Sequence, residues 1–86
     1  MSGVRESRAK AEEIERWALA TCQSLGLPIT DATDDFFAAG GTSLTVIRLI
    51  ARAEEEYGEE CLPPDDVYER STIRDIAASI AARTGT

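Results

Sequence analysis

Asp35-Phe36-Phe37-Ala38-Ala39-Gly40-Gly41-Thr42-Ser43-Leu44 is the stretch on which the reading of this chain turns. Two aromatics can anchor a loop, and two glycines let the backbone turn tightly and leave space above it. Ser43 then opens an apolar, helix-patterned run, so its hydroxyl sits at or beside a helix N-terminus with little steric cover. Free backbone N–H groups and the positive end of the helix dipole favour negative charge at such a place, which suits the attachment of a phosphate. Serine is also a preferred N-cap, and a glycine pair before a helix is ordinary loop chemistry. The residues alone leave both readings open: a plain cap, or a hydroxyl presented for modification.

Downstream of Ser43 a helix is expected over residues 43–57, with Gly58 as its stop. At 100° per residue, Val46, Leu49, Ile50, Ala53 and Tyr57 fall on one side and form the core stripe. Leu44, Ile47 and Ala51 fall on a second side, bounded by Arg48, Arg52 and Glu55. A helix in a small bundle needs one apolar face. The second face therefore either widens the buried stripe or meets a partner, as an apolar patch rimmed by charge would.

Upstream, residues 5–25 read as a first helix, with Ala11, Ile14, Ala18, Thr21 and Leu25 at steps of three and four. Trp17 and Cys22 flank that stripe, and Trp17 is expected to pack at the core or its edge. Gly26 and Pro28 end the helix. Residues 26–42 form a long loop, which needs anchors of its own; Leu27, Ile29, Phe36 and Phe37 supply them. Thr33, Asp34 and Asp35 offer side-chain acceptors for a short turn over residues 35–39.

Beyond Gly58, Pro63-Pro64 interrupts a loop, and residues 65–69 read as a short third helix with Val67 and Tyr68 as its apolar residues. A last helix over residues 72–83 carries Ile73, Ile76, Ala77 and Ile80 on one stripe, and Thr72 or Ser71 can cap it. Thr84-Gly85-Thr86 is expected to fray. The fold expected is all-α: one domain over residues 1–86, a small four-helix bundle with a short third helix and a long first loop.

Composition narrows the function. The 86 residues hold 9 Lys and Arg against 16 Asp and Glu, a net charge of −7, which argues against nucleic acid and for a basic protein partner. No stretch resembles a signal peptide or a membrane span, so a cytoplasmic location is expected. Cys22 and Cys61 lie far apart and form no metal-ligand pair; a buried thiol and a loop thiol are expected. Histidine is absent, which removes Ser-His-Asp catalysis and the commonest general base. Gly41-Thr42-Ser43-Leu44-Thr45 lacks the last glycine of a nucleophile elbow, and no Gly-Lys-Ser/Thr follows the glycine pair as in a P-loop. No catalytic residue and no metal site are expected; Ser43 reads as a substrate of another enzyme.

The central stretch resembles the modification-site motif of carrier proteins, in particular the peptidyl carrier (thiolation) domains of non-ribosomal peptide synthesis. Their Asp-Phe-Phe-x-x-Gly-Gly-x-Ser-Leu pattern is matched by Asp35, Phe36, Phe37, Gly40, Gly41, Ser43 and Leu44. Thr72, Ile73, Asp75, Ile76 and Ala77 match the Thr-Ile-x-Asp-Ile/Leu-Ala opening of their last helix. The resemblance implies that Ser43 carries a 4′-phosphopantetheine arm, placed there from coenzyme A by a phosphopantetheinyl transferase. It further implies an arm thiol holding an aminoacyl or acyl group as a thioester for adenylation, condensation or tailoring enzymes. Carriers use the helix after the modified serine for partner contacts, which favours Thr42, Leu44, Ile47, Arg48 and Ala51 as partner-binding residues; Leu62 and Val67 are expected to join them. Fatty-acid and many polyketide carriers have Asp before the serine, where this chain has Thr42. The peptidyl class is therefore expected first, with an acyl carrier, or a protein-binding bundle whose Ser43 is only a cap, as alternatives. Met1 and the lack of flanking linkers point to a free-standing carrier, and a monomer is expected.

Overall fold

The computed structural model describes residues 2–84, with side chains from Lys10 onward. Four helices follow one another: α1 Ser2–Ser24, α2 Ser43–Tyr57, α3 Pro64–Glu69 and α4 Ile73–Thr84. No strand occurs among the described residues, and one isolated antiparallel bridge joins Asp35 to Thr72. The all-α expectation holds.

Helix α1 turns Ile14, Ala18, Thr21 and Cys22 inward, the spacing of a single helical stripe. Trp17 packs at the edge of that stripe, with Tyr57 of α2 set edge-on at 5.2 Å between ring centroids. The helix ends where Gly26 takes φ +95°. There Leu27 N donates to Cys22 O at 3.1 Å and Gly26 N to Gln23 O at 3.0 Å. That pair of bonds is the Schellman arrangement, and it leaves Leu25 just outside the helix rather than inside it. The start lies three residues before the expected residue 5. The apolar repeat begins only at Ala11 and cannot mark the first turns.

Helix α4 supplies Ile73, Ile76, Ala77 and Ile80 to the core and packs chiefly against α1. From α2 come Val46, Leu49 and Ala53. Thr72 lies just outside α4 and caps it, accepting at Oγ1 from Asp75 N at 3.1 Å. Thr84 does not fray: it closes the helix, and its hydroxyl donates to Ile80 O at 2.9 Å. Gly85 and Thr86 lie outside the described residues. Helix α3 begins at Pro64 rather than residue 65, because proline suits the first helical position, where its missing N–H has no intrahelical partner to lose.

The long loop is part of the core. Leu27, Ile29, Ala32 and Phe36 are buried, and Phe37 is half-buried against them. Its backbone is laid along the entry to α4: Phe36 N donates to Ser71 O at 2.7 Å, Ile73 N to Asp34 O at 3.1 Å and Arg74 N to Ala32 O at 2.8 Å. Asp34 Oδ2 accepts from Thr30 N and Asp31 N, and Asp31 Oδ2 from Thr33 N, so the loop's polar backbone is satisfied locally. A connection of this length holds one course because both its side chains and its amides have partners.

Candidate functional site

The site is built by the end of that loop. Asp35 accepts at Oδ2 from Phe37 N at 3.0 Å and Ala38 N at 2.9 Å, which winds residues 36–40 into a turn. Its other oxygen accepts from the Ser71 hydroxyl, fastening the turn to the entry of α4. These donors, Ser71 foremost, hold the Asp35 carboxyl below its ordinary range, because each favours the charged form.

The two glycines are needed for different reasons. Gly40 takes φ +112°, a backbone angle that disfavours any side chain. Gly41 has no such angle. A methyl there would lie 2.5 Å from Phe36 Cδ2 and 2.8 Å from the Phe36 carbonyl oxygen. Phe36 is fully buried, so its ring cannot give way without opening the core. The absent side chain lets the backbone run over the ring and deliver the next residues to the surface.

Thr42, not Ser43, is the N-cap of α2. Its Oγ1 accepts from Thr45 N at 3.3 Å, and its own N–H donates to Thr45 Oγ1 at 3.2 Å, a reciprocal capping box. Ser43 occupies the first helical position, is exposed, and is released from capping. Its Oγ meets one side-chain partner among the described residues, the Tyr68 hydroxyl, which donates across 3.3 Å. The Ser43 and Leu44 amides have no intrahelical acceptor, and no acidic residue stands in the first turn of α2. A hydroxyl free to react, two open N–H groups and a helix N-terminus without competing acid fit a phosphodiester carrying negative charge.

Around Ser43, Thr42, Arg48 and Ala51 are exposed, as are Leu44 at 55% and Ile47 at 64%. The second face of α2 is thus not a widened core stripe. Two expected partner residues are elsewhere: Leu62 is 1% exposed and Val67 0%, both within the hydrophobic core. A visiting protein cannot touch them, and they are corrected to core residues. Successive helical residues point about 100° apart, so the six-residue α3 buries Val67 and turns Tyr68 outward. Tyr68 is the residue that sequence reasoning missed. Its apolar body and polar tip mark it for a half-wet edge, but its meeting with Ser43 depends on how α3 lies against the loop.

No group of three or more His, Cys, Asp or Glu able to hold a metal occurs among the described residues, and no described helix is long and apolar enough to cross a membrane.

Comparison with known proteins agrees with this geometry. The family described as the phosphopantetheine attachment site matches residues 19–80. Tyrocidine synthase 3 of Brevibacillus parabrevis is 40% identical over 58 residues, which cover 67% of this chain and 1% of that protein. The phosphinothricin tripeptide synthetase PhsC of Streptomyces viridochromogenes is 34% identical over 58 residues, 67% of this chain and 5% of its own. D-lysergyl-peptide-synthetase subunit 1 of Claviceps purpurea is 43% identical over 56 residues, 63% of this chain and 2% of its own. The chain therefore corresponds to a small part of each of these relatives. No solved structure matches. With the family match spanning the loop, Ser43 and all three later helices up to Ile80, the chain belongs to the phosphopantetheine attachment-site family of carrier domains, which bind 4′-phosphopantetheine covalently.

Proposed function

We propose that this chain is a peptidyl carrier and that Ser43 is the residue that receives 4′-phosphopantetheine. The observation that carries the reading is the division of labour at the start of α2: Thr42 takes the cap, leaving the Ser43 hydroxyl exposed and free of any capping bond beside two open amides. In the modification, Ser43 Oγ bonds to the phosphorus on the pantetheine side of coenzyme A. The pyrophosphate P–O bond breaks, 3′,5′-ADP departs with the electron pair, and the Ser43 proton passes to the transferase. The resulting phosphodiester anion lies where the helix dipole and the Ser43 and Leu44 N–H groups favour it.

Once attached, the arm supplies a terminal thiol that carries an aminoacyl group as a thioester. The chain's own contribution is to present the arm's root on a rigid turn and to keep the tethered cargo at high local concentration. The carrier has no catalytic site and acts as a monomer in the cytoplasm. Leu44 and Ile47, with Thr42, Arg48 and Ala51 around them, form the surface on which the transferase and the adenylation, condensation or tailoring enzymes dock. So small a contact, with polar residues at its rim, suits brief docking. That two of the relatives named above are by name peptide synthetases, of a tripeptide and of a lysergyl peptide, supports an aminoacyl cargo.

Incubation with coenzyme A and a broad-specificity phosphopantetheinyl transferase, read by intact mass, tests the assignment. The chain gains one phosphopantetheine and Ser43→Ala gains none. A chain left unmodified by a transferase active on another carrier would contradict the reading. Loading of the modified chain by amino-acid-adenylating rather than acyl-activating enzymes separates the peptidyl from the acyl class.

A further inference from the structure

The Tyr68 hydroxyl does not reach Ser43 by accident of a loose side chain. Its ring stacks on Phe37, with centroids 5.3 Å apart and planes 13° from parallel. Phe37 in turn stands edge-on to Phe36, at 5.1 Å and 84°. Phe36 is fully buried and is the same ring that Gly41 passes over. An unbroken line of aromatic contacts therefore runs from the core, through Phe37, to a hydroxyl 3.3 Å from Ser43 Oγ. Tyr68 itself is 52% exposed, so burial does not explain its place; the stack and the hydroxyl contact do.

We infer that Tyr68 is a positioning residue of the modification site, holding Ser43 Oγ before attachment and donating to the phosphodiester afterwards; this rests on the reading of Ser43 as the attachment residue. Before attachment, Ser43 Oγ accepts from Tyr68, so its own hydrogen is directed away from α3, toward an approaching base. The contact is longer than the 2.7–2.8 Å usual between hydroxyls, so it orients the oxygen without locking it. After attachment, Oγ becomes an ester oxygen and loses its O–H. The neighbouring phosphodiester oxygens are charged acceptors, to which a phenol donates more strongly than to a neutral hydroxyl. The Tyr68 O–H is then retained as a fourth group at the arm's root, beside the Ser43 and Leu44 amides and the helix dipole.

Tyr68→Phe tests this, because it keeps the ring and its stack and removes only the hydroxyl. With a phosphopantetheinyl transferase and coenzyme A, kcat for modification falls about fivefold with KM for the carrier unchanged, the worth of one neutral hydrogen bond. The 31P resonance of the modified variant is displaced from that of the modified wild type, while the thermal midpoint stays the same. Equal kcat together with an unmoved 31P resonance overturns the proposal. A raised KM with an unmoved resonance also overturns it, since Tyr68 would then be a docking contact only. Failure of the Ser43 reading is distinct: the wild type itself takes up no phosphopantetheine, or Ser43→Ala takes it up normally.

Discussion

Gly41→Ala is the sharpest probe of how the loop delivers Ser43. The substituted methyl would lie against the Phe36 ring, 2.5 Å from Cδ2, and 2.8 Å from the Phe36 carbonyl oxygen, where van der Waals contact begins near 3.4 Å. The ring belongs to the core and the carbonyl accepts from Gly41 N at 2.9 Å, so neither can retreat freely. Overpacking of this kind costs about 1–3 kcal/mol. Restricting the unfolded chain returns about 0.4–1 kcal/mol, because the native angle at Gly41 lies outside the positive-φ region. The net expectation is a loss of about 1–2 kcal/mol, read by urea denaturation with an unchanged m-value. For a domain of this size that lowers the thermal midpoint by roughly 4–15 °C. In a Phe36→Leu background the added cost of Gly41→Ala shrinks, because part of the collision is with the ring; the part with the carbonyl persists. A Gly41→Ala protein as stable as the wild type would refute the close-approach argument. Gly40→Ala provides the contrast. Its nearest atom, Leu27 Cδ2, is 4.0 Å away, so its cost comes from φ +112° alone and does not depend on Phe36.

Four further outcomes are expected. Thr42→Ala removes the side-chain half of the capping box and costs about 1 kcal/mol, whereas Ser43→Ala, exposed and not a cap, stays within about 0.5 kcal/mol of wild type by the same denaturation measurement. Asp35 is held below its ordinary 3.8 in the folded state, so its contribution to stability is fully present above that value and lost as pH falls through the lower folded value. Asp35→Asn should therefore flatten the acid side of a stability–pH profile below about pH 4; a profile that still matches wild type there would remove Asp35 from its assigned role. Burial pushes Cys22 up to about 12 and raises Cys61 as well, so in the native unmodified protein both react slowly with a thiol reagent, and modification adds one fast-reacting thiol; fast labelling before modification would contradict this. Ile47→Asp leaves the thermal midpoint near wild type but slows modification, while Ile76→Ala, fully buried, costs about 2–5 kcal/mol in denaturation.

The helices were legible because their apolar residues repeat at the helical period and their ends carry glycine, proline or threonine. The 43–57 expectation for α2 coincides with the helix observed, since Gly58 stops it and Thr42 opens it. Its two faces were separable on the same ground, with Val46 and Leu49 buried and Leu44 and Ile47 out. What stayed hidden are the relations between distant residues. Nothing local joins Asp35 to Ser71, or Tyr68 to Ser43, because both pairs depend on how the loop and α3 are laid against the rest. Leu62 and Val67 were misplaced for the same reason. An apolar residue near a site can face either way, and a six-residue helix is too short for periodicity to decide which. The purpose of Gly41 was half visible: a glycine pair signals a turn, but the ring beneath it appears only in three dimensions.

The proposed carrier function requires that one hydroxyl, Ser43 Oγ, takes the prosthetic arm. Tandem mass spectrometry of the peptide containing residues 42–45, after modification with coenzyme A and a phosphopantetheinyl transferase, tests it most directly. The added phosphopantetheine is expected on Ser43, with Thr42 and Thr45 carrying none. An arm found on Thr42, on Thr45 or outside this peptide would contradict it.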